Sequence, residues 1–270
     1  MPKISDFQDD AMNTLAGKVA ILAEKIAAGG GTVFFTGAGI STESGIPDFR
    51  SPGGIWTTYQ PVMFDDFMNS RQARIEYWKQ KAAFSDLMKG VRPNAAHSAI
   101  YRLYRLGLVE AVITQNVDGL HQAAGMPEDR VIELHGNSLR VRCMSCRRIS
   151  SLKEALDRIR KGDPAPECTC GGYLKPDTIS FGQAMPEHEV MKSIALARTC
   201  RCFIVVGSTL VVHPAASIPQ YALGSGAYLA IINLSDTPFD EQAHLLLQEK
   251  AALALEMVAD AVAKLVAEKD

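Results

Sequence analysis

No stretch of this 270-residue chain approaches 18 uninterrupted apolar residues, so the sequence predicts no membrane-spanning helix. A secretory leader is lacking too. MPKISDFQDD puts acidic residues where a leader carries basic and then apolar ones, and the expected location is the cytoplasm, with no membrane partner. Charge of one sign is not in excess: 28 Lys and Arg stand against 30 Asp and Glu, which excludes a nucleic-acid surface spread over the whole molecule, and no direct nucleic-acid partner is expected. Cysteine is scarce. The six present cluster as C-x-x-C, C-x-C and C-x-C, which in a chain without a leader points to metal and reduced thiols rather than to three disulfides. Repeats and low-complexity segments are missing as well. What remains, 47% hydrophobic and 21% charged, is an ordinary globular composition, long enough for two unequal folding units.

The stretch from Val33 to Arg50, VFFTGAGISTESGIPDFR, passes from a run suited to a strand buried on both faces into a glycine turn and then a polar loop. Gly37, Ala38 and Gly39 end the strand. Small residues there let backbone amides approach a phosphate, so the expected ligand is a nucleotide. A dehydrogenase fingerprint is absent: Thr42 replaces its third glycine, Tyr59 stands where an acidic residue should meet the ribose, and the next strong strand is Val109 to Thr114. GAGIST followed by SGIPDFR resembles the signature of the sirtuins, a family of NAD-dependent protein-lysine deacylases.

Other elements test that resemblance. The spacing of Leu15, Val19, Leu22 and Ile26 predicts a helix before the first strand, and Leu255, Val258, Val262 and Leu265 predict one at the C-terminus. Val109 to Thr114 runs into TQNVDGLH, whose polar groups sit where parallel sheets bind ligands, and sirtuins carry a matching element. Val131 to Leu134 leads to His135 in ELHGN. An imidazole at a strand end, followed by a glycine that opens space beside it, is a general-base candidate near neutral pH. His97 reads instead as a packed or capping histidine, and His213 as incidental. Cys143 and Cys146, then Cys168 and Cys170, suit a tetrahedral structural Zn²⁺, although the second pair has C-x-C rather than the usual spacing. Cys200 and Cys202 open an apolar strand and read as core.

Four strand ends, at Gly37, Asn116, Gly207 and Asn233, thus carry small or polar groups, as one nucleotide cleft along a single parallel sheet requires. The expected fold is α/β: a Rossmann-like parallel sheet flanked by helices, built from residues 1–50, 91–139 and 176–270. Residues 51–90, a helical insertion with a candidate lid, and the zinc module at 140–175 would form a smaller domain.

The resemblance implies roles. Gly37, Ala38 and Gly39 would cradle the NAD phosphates with Ser208 beside Gly207, while Thr209, Asn233 and Ala251 would lie along the adenosine half. Ile46 and Asp118 would hold the nicotinamide carboxamide, Phe49 would cover the reacting ribose, and Thr42, Asp48 and Arg50 complete the cofactor set. His135 would deprotonate a ribose hydroxyl, with Asn116 and Gln115 positioning ribose and water, and Phe181, Gly182 and Val211 would border the acyl-lysine. Partners would be acetylated lysine-containing proteins or peptides. Relatives that take acidic acyl groups have a Tyr-x-x-Arg pair; here Tyr77, Trp78, Lys79, Gln80 lacks the arginine, which favours acetyl or another uncharged acyl group. An ADP-ribosyltransferase is the nearest rival reading. A hydride-transferring oxidoreductase and a non-enzymatic zinc module are more distant ones.

Overall fold

The computed structural model describes residues 14–48, 54 and 60–268. Thr14 caps the first helix, α1 (Leu15–Ala27), by accepting from the Gly17 amide, and Val19, Leu22, Ala23 and Ile26 form its buried stripe. Strand β1 (Thr32–Thr36) follows, buried at every position, and a 3₁₀ helix, Ala38–Ser44, continues directly from it. The insertion contains α2 (Phe64–Asn69) and α3 (Arg71–Leu87). Then come α4 (Ala95–Arg105), β2 (Val109–Thr114), the short α5 (Leu120–Ala123) and β3 (Val131–Glu133). Asn94 and His97 form a capping box at the start of α4, so His97 is the capping histidine the sequence suggests.

The chain next leaves the main sheet through β4 (Gly136–Cys143), β5 (Ile149–Ser151), α6 (Leu152–Arg160) and β6 (Leu174–Thr178). It returns through α7 (Glu187–Thr199), β7 (Cys202–Val206), α8 (Ile218–Gly224), β8 (Tyr228–Ile232), β9 (Leu245–Leu247) and α9 (Ala251–Ala267).

The six-stranded sheet has the order β3-β2-β1-β7-β8-β9, and all its pairings are parallel. The chain winds outward from β1 in one direction and from β7 in the other, so the topological switch falls between these neighbours, and ligands bind outside the carboxyl ends of strands at such a point. Alternation puts Phe34, Val112, Ile204 and Ala230 against α1, α4 and α9, while Val33, Phe35, Phe203 and Val205 pack toward α7 and α8. Cys202 belongs to the first of these cores and Cys200 to the second. Burial pushes both thiols up to about 12, as inert core cysteines require.

The second sheet, β5-β4-β6, is antiparallel. Its pairing runs from Gly136↔Thr178 to Cys143↔Leu174, so it takes in residues 136–139 and 176–178, which the motif boundaries place with the large domain. Its core is Trp78, Val141, Cys143, Ala155, Cys168 and Leu174. Trp78 comes from α3 and donates its indole N–H to the Leu174 carbonyl at 3.1 Å, so insertion and cysteine module share one interior.

Candidate active site

β1 and β7 end side by side, and their glycines make that contact possible. A Cβ on Gly37 would lie 2.7 Å from the Gly207 carbonyl oxygen, one on Gly39 would lie 2.7 Å from the Gly207 Cα, and one on Gly207 would lie 2.3 Å from the Ile40 nitrogen. The missing side chains therefore serve the packing of one loop on the other as well as approach by a ligand.

Over these strand ends lies a cavity of about 980 Å³. Its wall includes Gly37, Ala38, Gly39, Thr42 and Asp48 from the first loop, Gln115 and Asn116 after β2, and His135 after β3. Gly207, Ser208, Thr209 and Val211 contribute after β7, Asn233 after β8, Ala251 at the start of α9, and Phe181 and Gly182 after β6. Elements far apart in sequence thus meet at one site. Ile46 and Asp118 are buried and do not line the wall. Phe49 and Arg50 lie outside the described residues, as does most of the candidate lid.

His135 is held through Nδ1, 2.9 Å from the Gln115 carbonyl oxygen. A carbonyl only accepts, so Nδ1 carries the proton and Nε2 is left as the basic nitrogen. Burial lowers the imidazole's pKa, against the raising effect of that hydrogen bond, and keeps the ring neutral at pH 7. The glycine after it does not open space. Gly136 has φ +75°, and a Cβ there would sit 1.9 Å from the Asp177 carbonyl oxygen, so it lets β4 close on β6. Around His135, Glu133 accepts from Gln122, Asn137 and Arg140, and Asp177 accepts from Arg142 and Arg140, tying the two sheets together.

Asn116 donates through Nδ2 to the Gly37 carbonyl and to Ser41 Oγ, both at 3.1 Å, which leaves Oδ1 for a ligand. Ser41 in turn donates to Asp118 at 2.8 Å, and the Leu120 amide donates to the other carboxylate oxygen. Burial nevertheless raises the Asp118 pKa. Gln115 reaches across the cleft to Ser208 Oγ at 2.7 Å. Ser41, quoted within GAGIST but given no role above, is the link that makes Asn116 and Asp118 one unit. Only the fold brings the two segments together.

The insertion's wall holds Tyr77, Gln80 and Lys81. Burial pushes the Tyr77 hydroxyl up, but Lys81 and Lys175, with the hydroxyls of Ser180 and Thr178, bring it down to about 7. Lys79 faces away, 77% exposed beside Glu76. Lys175 is fully buried, and its ammonium donates to the Thr178 carbonyl. His213 also reaches the wall and bonds Ser217.

Sulfur atoms of Cys143, Cys146, Cys168 and Cys170 all lie within 4.8 Å of one another, with Cys143 and Cys170 at 3.5 Å and Cys146 and Cys168 at 3.8 Å. Four thiolates about 2.3 Å from a central Zn²⁺ have this spacing, so the donor set fits a closed structural site despite the C-x-C pair.

The family model described as the Sir2 family matches residues 37–214. An NAD-dependent protein deacetylase of Bradyrhizobium diazoefficiens is 48% identical over 87% of this chain and 92% of its own length. A solved Sir2 enzyme structure is similar with a TM-score of 0.80 and 38% identity, covering 92% of this chain and 98% of the other. A Sir2 complex with p53 peptide and NAD⁺ also has a TM-score of 0.80, at 35% identity, covering 88% of this chain and 95% of the other.

Proposed function

The chain belongs to the Sir2 family and is an NAD-dependent protein deacetylase; we propose that the cleft over β1 and β7 carries the reaction, with His135 as its base. Bound NAD would supply an electrophilic ribose carbon: the acetyl oxygen replaces nicotinamide there, the ribose 2′-hydroxyl attacks the acetyl carbon, and one water is taken up as lysine is released, giving nicotinamide, free lysine and 2′-O-acetyl-ADP-ribose. The observation that carries the assignment is the His135 tautomer: Nδ1 is tied to the Gln115 carbonyl, and Nε2 is the atom able to take a ribose hydroxyl proton.

The other residues bind and orient. The small residues of the Gly37–Gly39 turn let the phosphates approach the backbone, and the Ser208 hydroxyl donates to them; the Gly37 and Gly39 amides themselves are bonded to the Val206 and Gly207 carbonyls. Thr209, Asn233 and Ala251 follow the adenosine half. Asn116 offers Oδ1 to the ribose side, and Gln115 spans the cleft to Ser208 beside it. Asp118 and Ile46 act from behind the wall, Asp118 by fixing Ser41 and hence Asn116. The GIPDFR motif assigns Phe49, by resemblance, to the cover of the reacting ribose and Arg50 to the cofactor set, both outside the described residues. Phe181, Gly182 and Val211 border the acyl-lysine entrance, and an extended peptide docks there by strand pairing. Water must be kept out until nicotinamide has left, a task for the loop that follows Arg50.

The six-stranded sheet forms the NAD domain; the insertion and the zinc module form the small one. Acetyl is favoured over acidic acyl groups because no arginine follows Tyr77 at the i+3 position. Among the described residues no helix is long and apolar enough to cross a membrane.

Mass spectrometry of an acetyl-lysine peptide, with and without NAD and with a His135→Ala control, tests the reading. Loss of acetyl only with NAD, release of nicotinamide and a dead control are expected. NAD cleavage that leaves the peptide acetylated would turn the assignment toward ADP-ribosyl transfer.

A further inference from the structure

Four polar side chains beside the cleft have no part in this chemistry, yet all are buried: Thr36, His97, Thr114 and His121. Three of them lie on one chain of hydrogen bonds. His121 Nε2 is 2.9 Å from Thr36 Oγ1, the Thr36 hydroxyl donates to Thr114 Oγ1 at 2.8 Å, and that oxygen also accepts the backbone amide of Asn116 at 3.0 Å. On the other side, His97 Nδ1 lies 3.4 Å from the Asn94 amide nitrogen and 3.1 Å from Asn94 Oδ1, and Asn94 Nδ2 donates to the Ile40 carbonyl at 2.7 Å, one residue before the Ser41 that holds the Asn116 side chain.

The polarity of this chain can be read off. Because the Thr36 proton goes to Thr114, Thr36 Oγ1 accepts from His121, whose Nε2 is therefore protonated and whose Nδ1 is a bare acceptor. His97 Nδ1 has both the Asn94 amide, at 3.4 Å, and Asn94 Oδ1, at 3.1 Å, within reach, and its tautomer follows which of them it bonds. Among the described residues, His97 Nε2 and His121 Nδ1 are the two ring nitrogens left buried without a protein partner, in rings whose centroids are 5.0 Å apart. A single bridging water, which both donates and accepts, would satisfy the bare His121 Nδ1 together with His97 Nε2 in either tautomer, the usual answer to buried polar atoms so placed.

We propose that His97 and His121 are positioning residues for Asn116, closing a hydrogen-bond circuit that fixes its backbone through Thr114 and its side chain through the Ile40–Ser41 segment. The circuit spans α4, α5, the ends of β1 and β2 and the 3₁₀ helix, so a shift in either histidine reaches the reacting ribose without touching it. This inference rests on the reading that Asn116 belongs to the reaction site.

The test compares His121→Leu, which removes the donor to Thr36, with His121→Gln, whose amide can restore it. We expect His121→Leu to lower kcat about tenfold or more, as small misplacements of reacting groups do, while KM for the acetyl-peptide stays within about twofold. His121→Gln should recover most of the rate at a similar Tm. A His121→Leu enzyme that keeps its kcat, or a His121→Gln enzyme no better than it, overturns the proposal. Should His121→Leu not fold, nitrogen NMR of the histidine-labelled wild type decides: Nε2–H with a bare Nδ1 on His121 supports the circuit, and the opposite tautomer or an imidazolium at pH 7 refutes it. Asn116→Ala is assayed in parallel. If it keeps full activity, the reading of Asn116 fails and this inference with it; if it is impaired while His121→Leu is not, only the positioning role falls.

Discussion

The large and the small halves of this molecule are held together in different ways. The six-stranded sheet is covered on both faces, with Phe34 and Ile204 on one side and Phe35 and Phe203 on the other, all fully buried. Such a core supports itself, which lets the strand ends carry groups that stabilise nothing: a bare imidazole nitrogen and a carboxamide oxygen. The core cluster of the small half is smaller, Trp78, Val141, Cys143, Ala155, Cys168 and Leu174, and two of those belong to the four-thiolate set that could hold a metal. Below a certain size a core needs a cross-link, and here the four thiolates provide it. The contrast teaches where function can sit. The cleft lies mainly on the half that does not need its polar groups for stability, while the half with the four-thiolate set lends a wall.

Breaking one half should leave the other readable. His135→Ala has the largest expected effect, a loss of about 10²–10⁴-fold in deacetylation rate, with a Tm close to wild type because the ring contributes chemistry rather than core. Trp78→Ala attacks the small half: about 3–5 kcal/mol is expected from a buried tryptophan. In a Trp56→Phe background, Trp78 is the sole indole, so its emission should report melting of the small half on zinc chelation while far-ultraviolet dichroism keeps the helices of the large one. Simultaneous loss of both signals would show that the halves do not fold separately.

Acid sharpens the comparison further. Burial lowers the pKa values of His97, to about 4, of His121 and of His135. As pH falls below about 6.5 the unfolded chain binds protons that the folded one refuses, so stability present above that value is lost on the way down to the folded pKa. For His97 alone the loss by pH 5 is about 2 kcal/mol, measurable as a drop in the urea midpoint. None of the six histidines falls between residues 140 and 175, so the small half's acid sensitivity is that of its thiolates and should weaken when zinc is added. A zinc-dependent midpoint for the whole protein would contradict this division. The smallest effect expected is at a helix cap: Ser151→Ala removes the acceptor of the Glu154 amide at a cost of about 1 kcal/mol, detectable as a lower melting point of the small half only.

Local chemistry made much of this legible. Apolar runs marked β1, β2 and β7, periodicity marked α1 and α9, and the paired cysteines marked the metal module, because each depends on neighbours within a turn or a strand. The motif residues likewise pointed to the cleft, and most of them line it. What the sequence could not contain is anything created by two segments meeting. The 3₁₀ helix after Gly37 and the short β9 are held mainly by tertiary contacts. Gly136, which reads as room beside a catalytic histidine, is small because the Asp177 carbonyl occupies that room. Ser41 acquires its role only when Asn116 and Asp118 come within reach, and His97 and His121, ordinary on paper, become a pair through the packing of α4 on α5. By itself the sequence determined the main strands, the first and last helices, a nucleotide as the expected ligand and a four-thiolate set suited to zinc. Which small residue makes room for which backbone, and which buried polar groups find each other, was decided only by the tertiary structure, since hydrogen bonds and close contacts are set by distance in space and not by separation along the chain.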